Sequence, residues 1–215
     1  MKKFAVVLSG CGVFDGAEIH EAVMVMLAID RAGAQYELFA PSIEQTHVIN
    51  HYTGEVSQEK RNVLVESARI ARGKIKNIDE YKAFDFDALI IPGGFGVAKN
   101  LSNFAFGNDP YSVIPEIEKI VKETNNAGKP IGALCIAPVI IAHIIKNVEI
   151  TIGSDAGTAT RVSAKGARHV NSKLGEIVVD EDNKIVTTPC YMLNASISQI
   201  ANDSALVVDT LIKLM

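Results

Sequence analysis

The sequence has few cysteines and no excess of positive charge, and each shortage argues against a class of protein. The three cysteines, Cys11, Cys135 and Cys190, form no CxxC pair, which argues against a disulfide framework or a cysteine-based zinc site. A reducing compartment suits such a chain, and we expect a cytoplasmic protein. The net charge of −4 argues against nucleic acid as a partner.

Long apolar runs are also absent. No segment approaches the roughly 20 apolar residues needed to cross a bilayer, so no membrane association is expected. Residues 1–8 look like the start of a signal peptide, but their apolar run is shorter than the about seven to fifteen residues that such a peptide needs. We interpret this run as the buried first strand of an α/β domain.

Short apolar runs alternate with amphipathic segments along the chain, which predicts one α/β domain over residues 1–215 with a mostly parallel sheet. The expected strands are 4–9, 36–40, 88–91, the run before residue 135, and 150–152, with a hairpin of 177–180 and 184–187. The expected helices are 18–32, 62–72, 114–127, 136–145 and 195–214. Residues 47–61 are expected to form a small hairpin or excursion, and residues 100–110 a loop.

Cys135 has the surroundings of a nucleophile elbow, in which a strand ends, turns sharply and presents a reactive side chain. Ala133 and Ala137 flank it, and such a tight turn needs small neighbours. The amides that open the following helix would favour the thiolate form of the cysteine. The alternative is a buried structural cysteine, since free cysteine is among the most buried residue types.

A glycine-rich turn, residues 93–96, follows the strand before the elbow. Glycine amides can point at an oxyanion, and the amides of Gly94 and Ile136 are the natural pair beside Cys135. A second glycine-rich turn, residues 10–16, comes close to a dinucleotide fingerprint, but it has one residue too many before its last glycine. Glu37 also lies near the start of the second strand rather than its end, so no NAD and no other cofactor is expected.

Glu18 and Glu21 open the first predicted helix. They stabilise that helix through its dipole, or one of them points at the Cys135 thiol and acts as an acid and base. No histidine completes a triad: His143 is too far along the same helix as Cys135 to reach it. The other histidines have no diagnostic spacing, namely His20, His47, His51 and His169. Cys11 and Cys190 are interpreted as non-catalytic, and no metal site is indicated.

Several segments carry a resemblance to a known family. Residues 8–13, 15–23, 48–55, 91–104, 135–138 and 179–189 resemble the ThiJ/PfpI superfamily, relatives of class I glutamine amidotransferases. Within it the chain is similar to the ElbB family of glyoxalase-like proteins linked to isoprenoid biosynthesis. The resemblance implies a flavodoxin-like three-layer sandwich, a cysteine elbow and a homodimer.

The resemblance also implies roles for four residues. Cys135 would be the nucleophile, Glu21 the acid that pairs with it, and the amides of Gly94 and Ile136 the oxyanion hole. Superfamily members often have a histidine after the elbow helix, but residues 152–155 read Ile-Gly-Ser-Asp, which argues against an amidotransferase mechanism.

The activity implied is that of a glutathione-independent glyoxalase, a lyase that needs no cofactor. It would convert glyoxal or a similar small 2-oxoaldehyde to a hydroxy acid through a Cys135 hemithioacetal, and the same chemistry could act as a protein deglycase. The alternative is a non-catalytic redox-sensing or stress-response protein with an oxidisable Cys135. An amidotransferase subunit is the third hypothesis.

Overall fold

The chain contains eleven strands within residues 1–107 and 109–215, the residues described by the computed structural model. The strands are β1 (Lys3–Val7), β2 (Gln35–Ala40), β3 (Val48–Ile49), β4 (Val56–Ser57), β5 (Lys76–Asn77), β6 (Ala88–Ile91), β7 (Ile131–Leu134), β8 (Glu149–Ile150), β9 (Arg168–His169), β10 (Val178–Asp180) and β11 (Ile185–Thr188). Seven of them form one sheet in the order β10-β11-β7-β6-β1-β2-β5, in which only β10 and β11 pair antiparallel.

The helices of the described residues are α1 (Ile19–Arg31), α2 (Val63–Ile70), α3 (Phe95–Lys99), α4 (Pro115–Asn126), α5 (Pro138–Ile144), α6 (Ala156–Ser163) and α7 (Ile197–Leu214). None of these helices is long and apolar enough to cross a membrane. Helices α1 and α7 pack on one face of the sheet, and α4 and α5 pack on the other. The molecule is therefore a three-layer sandwich of the flavodoxin-like type, as predicted.

The central strands are buried on both faces, which explains why they read as apolar runs rather than as alternating patterns. In β1, Phe4 and Val6 face the core beneath α1 and α7, whereas Ala5 and Val7 face the core beneath α4. Parallel strands place their carboxyl ends at one edge of the sheet. The turns after β1, β6, β7 and β11 therefore meet there.

Most predicted elements are confirmed. The hairpin of β10 and β11 and the small hairpin of β3 and β4 both form. The helix after the elbow begins only at Pro138, because proline fixes the first helical position. The strand predicted over 150–152 is shorter and pairs with β9 in a separate two-stranded sheet.

Two helices and two strands were missed. The predicted loop 100–110 contains a 3-10 turn, Phe104–Phe106, and its residue 108 lies outside the described residues. The glycine-rich turn leads directly into α3, and α6 follows the bend after β8. The strands β5 and β9, of two residues each, were also not expected.

Candidate active site

Cys135 sits at the sharp turn between β7 and α5. Its φ of +59° lies in the left-handed region, which costs an L-residue about 1–2 kcal/mol. Its amide donates to the carbonyl of Thr188 at 3.0 Å, a contact that ties the turn to the end of β11. Such strained positions persist where the surrounding structure holds them, and they cluster at functional sites. The strained elbow predicted from the sequence therefore forms.

The turn after β6 lies against this elbow and needs glycine at two positions. A Cβ placed on Gly93 would lie 2.7 Å from Glu21 Oε2 and 3.0 Å from Cys135 Sγ, closer than packed atoms tolerate. Gly94 has a φ of +103°, and a Cβ there would collide with the Gly16 carbonyl and the Glu18 amide. The absence of side chains lets this turn approach both reactive groups.

Glu21 is fully buried on the first turn of α1, and two amides from different turns hold its carboxyl group. The amide of Gly93 donates to Oε2 at 2.8 Å, and that of Tyr191 donates to Oε1 at 3.3 Å. The Cys135 thiol donates a hydrogen bond to the same carboxyl group. Glu18 instead caps the helix, because its side chain accepts the Glu21 amide at 2.7 Å. The structure thus distinguishes the positions of the two carboxylates, between which the residue pattern did not decide: Glu18 caps the helix and Glu21 faces the thiol.

Burial raises the pKa of Glu21 to about 8, and the negative charge of Glu18 adds to the rise. The amides of Tyr191 and Gly93 and the Cys135 thiol oppose it. A carboxyl group with this pKa is mostly protonated at pH 7 but ionises readily just above it. Such a group can give and take a proton at physiological pH.

The sequence suggested a cysteine poised as a thiolate, and the structure corrects this expectation. Cys135 is only 7% exposed, and burial together with the Glu21 charge raises the pKa of its thiol well above the usual value. Hydrogen bonds from the amides of Gly94 and Ile136 lower the pKa but do not outweigh these causes. The resting residue is a thiol, and its activation requires a base.

A cavity of about 390 Å³ opens beside the sulfur. Its described lining includes Gly94, Cys135 and Ile136, while Glu21 lies behind the cysteine. The remaining lining residues are Val13, Phe95, Ala98, Phe104, Ala105, Gly107, Thr158, Arg161, Tyr191 and Met192. Two surface depressions of about 540 and 580 Å³ lie elsewhere and contain no cysteine, so we place the candidate site at the elbow.

Tyr191 and Arg161 are among the lining residues that the sequence did not predict. Tyr191 follows β11, and its hydroxyl lies 2.9 Å from His20 Nδ1 at the exposed side of α1. Arg161 comes from α6, a short helix of mostly small and polar residues in which only Val162 is buried. The signal that could have found α6 is Asp155, an N-cap whose side chain accepts the Thr158 amide at 2.7 Å.

The other cysteines and the histidines are not among the described residues that line this cavity. Cys190 is fully buried after β11, and Cys11 lies half-buried after β1. His143 Nε2 lies 3.3 Å from Glu118 Oε1, on the α4 side of the sheet. No histidine occurs among the described residues that line the cavity, and those residues contain no cluster suited to a metal ion.

Together the architecture and the elbow define a flavodoxin-like α/β fold of the class I glutamine amidotransferase-like kind. Residues 11–192 match the model of the DJ-1/PfpI family, and the chain belongs to that family. This confirms the resemblance drawn from the sequence.

Its relatives include proteins with nearly the same architecture. A crystal structure of an isoprenoid biosynthesis protein with an amidotransferase-like domain from Ehrlichia chaffeensis superposes with a TM-score of 0.92 at 39% identity, covering 99% of this chain and all of the other. The chain is 47% identical to the ES1 protein homolog, mitochondrial, of Rattus norvegicus, over 99% of this chain and 84% of the relative. It is 48% identical to the human glutamine amidotransferase-like class 1 domain-containing protein 3, mitochondrial, over 92% and 78%.

The names of these curated relatives correct one prediction. Both are called mitochondrial, so the cytoplasmic location expected from the cysteine content is wrong. All three cysteines are free, which fits a reducing environment. A reducing environment is not unique to the cytoplasm, and the cysteine content therefore did not identify the compartment.

Proposed function

We propose that the protein is a glutathione-independent glyoxalase that converts small 2-oxoaldehydes to hydroxy acids without a cofactor. The observation that carries this proposal is the set of groups around Cys135: one carboxyl group with a pKa near neutrality and two amide donors, beside a cavity. The small aldehyde substrate and the homodimer expected from the resemblance belong to this proposal. The relatives' names support a mitochondrial setting for the reaction.

In the first step, the ionised Glu21 carboxylate takes the thiol proton as Sγ adds to the aldehyde carbon of glyoxal. A carbon–sulfur bond forms, the carbonyl π bond breaks, and the proton passes to the new oxygen, giving a hemithioacetal. The amides of Gly94 and Ile136, which contact the sulfur, are near enough to stabilise the charge that develops on the adjacent oxygen.

In the second step, Glu21 removes the hydrogen of the hemithioacetal carbon and a proton is returned to the neighbouring carbon through an enediol. One carbon is oxidised and the other reduced, so no external oxidant is needed. The product is a thioester on Cys135. Water hydrolyses it, releasing glycolate and restoring the thiol.

The absence of a histidine from the described cavity lining argues against glutamine hydrolysis by a cysteine–histidine pair. The burial of Cys135 and its raised pKa also weaken the redox-sensor hypothesis, because sensor cysteines are exposed and have a low pKa. The same chemistry acting on early glycation adducts would make the protein a deglycase.

The test follows glycolate by NMR in glyoxal solutions that contain the wild type, Cys135→Ala or the matched control Cys11→Ala. We expect turnover in the wild type and in Cys11→Ala, at a rate above that of a free thiol at equal concentration, and none in Cys135→Ala. Equal or absent turnover in all three would exclude the enzyme. Sulfinate formation at Cys135 under mild peroxide, without turnover, would instead favour the redox sensor.

A further inference from the structure

The cavity beside Cys135 is too large for glyoxal alone. Its volume of about 390 Å³ falls in the range of about 300–1,000 Å³ that holds drug-sized ligands. Glyoxal has two carbons and two oxygens and leaves most of this space unfilled. A substrate that fills the cavity therefore carries a sizeable group beyond its reactive carbonyls.

The residues that line the cavity indicate the chemical character of this additional substrate group. Flat or flexible apolar side chains dominate them, contributed by Phe95, Phe104, Tyr191 and Met192. Such surfaces pack against a flat, apolar body. One described lining residue, Arg161, carries a full charge, and the hydroxyl of Thr158 lies one turn before it on α6.

The Arg161 guanidinium is held in a fixed position. Its Cζ lies 3.8 Å from the centre of the Phe104 ring, and its Nη1 donates to the Phe104 carbonyl at 2.8 Å. Its Nε and Nη2 contact the Asp109 carboxylate at 3.2 Å. A guanidinium held in this way is pre-organised for a second anion, and little entropy is lost when that anion binds.

In the ion pair with Asp109, the carboxylate is the more exposed partner. The Asp109 side chain is 56% exposed, whereas that of Arg161 is 22% exposed, so the carboxylate lies on the solvent side. Glu21 behind the sulfur is mostly protonated at neutral pH and repels an anion only weakly.

We propose that the substrate is a 2-oxoaldehyde with an aromatic body that ends in a carboxylate, and that Arg161 and Thr158 bind this carboxylate while Cys135 attacks the aldehyde. The choice of a 2-oxoaldehyde rests on the proposed function, but the carboxylate site rests on the cavity alone. Arg161 is thus a specificity-determining residue.

Two matched aldehydes test the carboxylate site without turnover. 4-Formylbenzoate is anionic, and 4-formylbenzamide has the same shape without the charge. Each can form a hemithioacetal with Cys135, in which the Sγ–C bond replaces the carbonyl π bond and the thiol proton moves to oxygen. Neither has a second carbonyl next to the aldehyde, so the reaction stops there. Loss of the aldehyde absorbance gives the dissociation constant.

In the wild type we expect the anionic aldehyde to bind about tenfold or more tightly than the neutral one, since charge-assisted hydrogen bonds are the stronger kind. Arg161→Gln should remove this preference, and Arg161→Lys should restore part of it. Asp109→Asn should increase the preference, because it removes the competing anion and leaves Arg161 in place. The two substitutions thus change the preference for the anionic aldehyde in opposite directions, so Asp109→Asn still tests the proposal if Arg161→Gln disturbs the fold.

Equal affinities in the wild type, or a preference that survives in folded Arg161→Gln, would overturn the proposal. No adduct with either aldehyde in the wild type would overturn it too, because the sulfur would then be closed to the cavity. Discrimination between the aldehydes without glyoxal turnover would retain the carboxylate site and reject the reaction. Glyoxal turnover without discrimination between the aldehydes would retain the proposed reaction and reject the carboxylate site.

Discussion

Cys135 and Cys190 occupy comparable places in the fold but differ in what surrounds them. Each follows the end of one of two neighbouring parallel strands, and each has a left-handed φ, +59° and +42°. Burial is the largest cause of a raised pKa in both thiols. Cys135, however, contacts two amides and a carboxyl group and lines a cavity, whereas Cys190 is fully buried. Both cysteines share the left-handed backbone, but only Cys135 also has the partners and the access that its proposed reactivity needs.

The largest expected difference between the two cysteines is in alkylation. Iodoacetamide should reach Cys135 through the cavity, but it should reach Cys190 only when the fold opens. Because opening of a core costs several kcal/mol, we expect rates that differ by at least about 10³-fold. Peptide mass spectrometry of the folded protein measures both rates, and the denatured protein is the control, in which they should be similar. Similar rates in the folded protein would contradict the comparison.

The next largest effect tests the acid that only Cys135 contacts. Glu21→Gln should lower kcat/KM for glyoxal by about 10²–10⁴-fold, because proton transfer by a positioned side chain contributes about that much. Steady-state kinetics by NMR measure it, with Glu116→Gln on α4 as the matched control. Full turnover in folded Glu21→Gln would remove Glu21 from the mechanism.

The same variant has an effect on stability. The carboxyl of Glu21 has a pKa of about 8 in the fold against an ordinary 4.5, so between these values the folded state holds a proton that the unfolded state releases. Stability of the wild type therefore falls as pH rises from about 4.5 to 8, by on the order of a few kcal/mol at about 1.4 kcal/mol per pKa unit.

Glu21→Gln lacks this proton. Its Tm relative to the wild type should rise steadily between pH 5 and pH 8, whatever the cost of the amide facing the Gly93 or Tyr191 backbone. Calorimetry across that range measures the difference. A difference that does not change with pH would show that Glu21 is ionised throughout.

The smallest effect comes from Glu18, whose charge raises the pKa of Glu21. In the wild type, kcat/KM should increase as pH rises through about 8, because the ionised carboxylate is the base. Glu18→Gln retains an oxygen for the helix cap but removes the charge, so the midpoint should move to lower pH, by up to about one unit. The pH–rate profiles of both proteins measure the shift, and an unchanged or raised midpoint would exclude this coupling.

The sequence was sufficient to predict the sheet, the elbow and two candidate acids, because each follows from a local rule. Small residues around Cys135, glycines after β6 and two acids at the start of α1 are patterns that neighbouring residues define. Choosing Glu21 over Glu18 required the family resemblance, since both lie on the first turn of one helix. The structure makes the reason visible: Glu18 accepts the Glu21 amide, whereas Glu21 faces the sulfur.

What the sequence did not predict depends on contacts between distant segments. The burial of Cys135 results from the turns after β6, β7 and β11 closing around it, which no local pattern records. Helix α3 begins within a glycine-rich turn, and α6 is built mostly from small and polar residues, so few large apolar residues mark either helix in the sequence. Arg161 was missed for this reason, although it supplies the charge of the cavity.

Gly93 sets the spacing between Glu21 and Cys135, whereas other residues shape the cavity. It contributes a hydrogen atom where any other residue would place a carbon between the acid and the sulfur. A single methyl group there would lie between Glu21 and Cys135, so the proposed chemistry depends on a residue without a side chain. The wall residues Phe104, Tyr191 and Met192, like Arg161, stand on other segments of the chain. A descendant of this protein could therefore exchange its substrate by altering those walls and still inherit the same reaction.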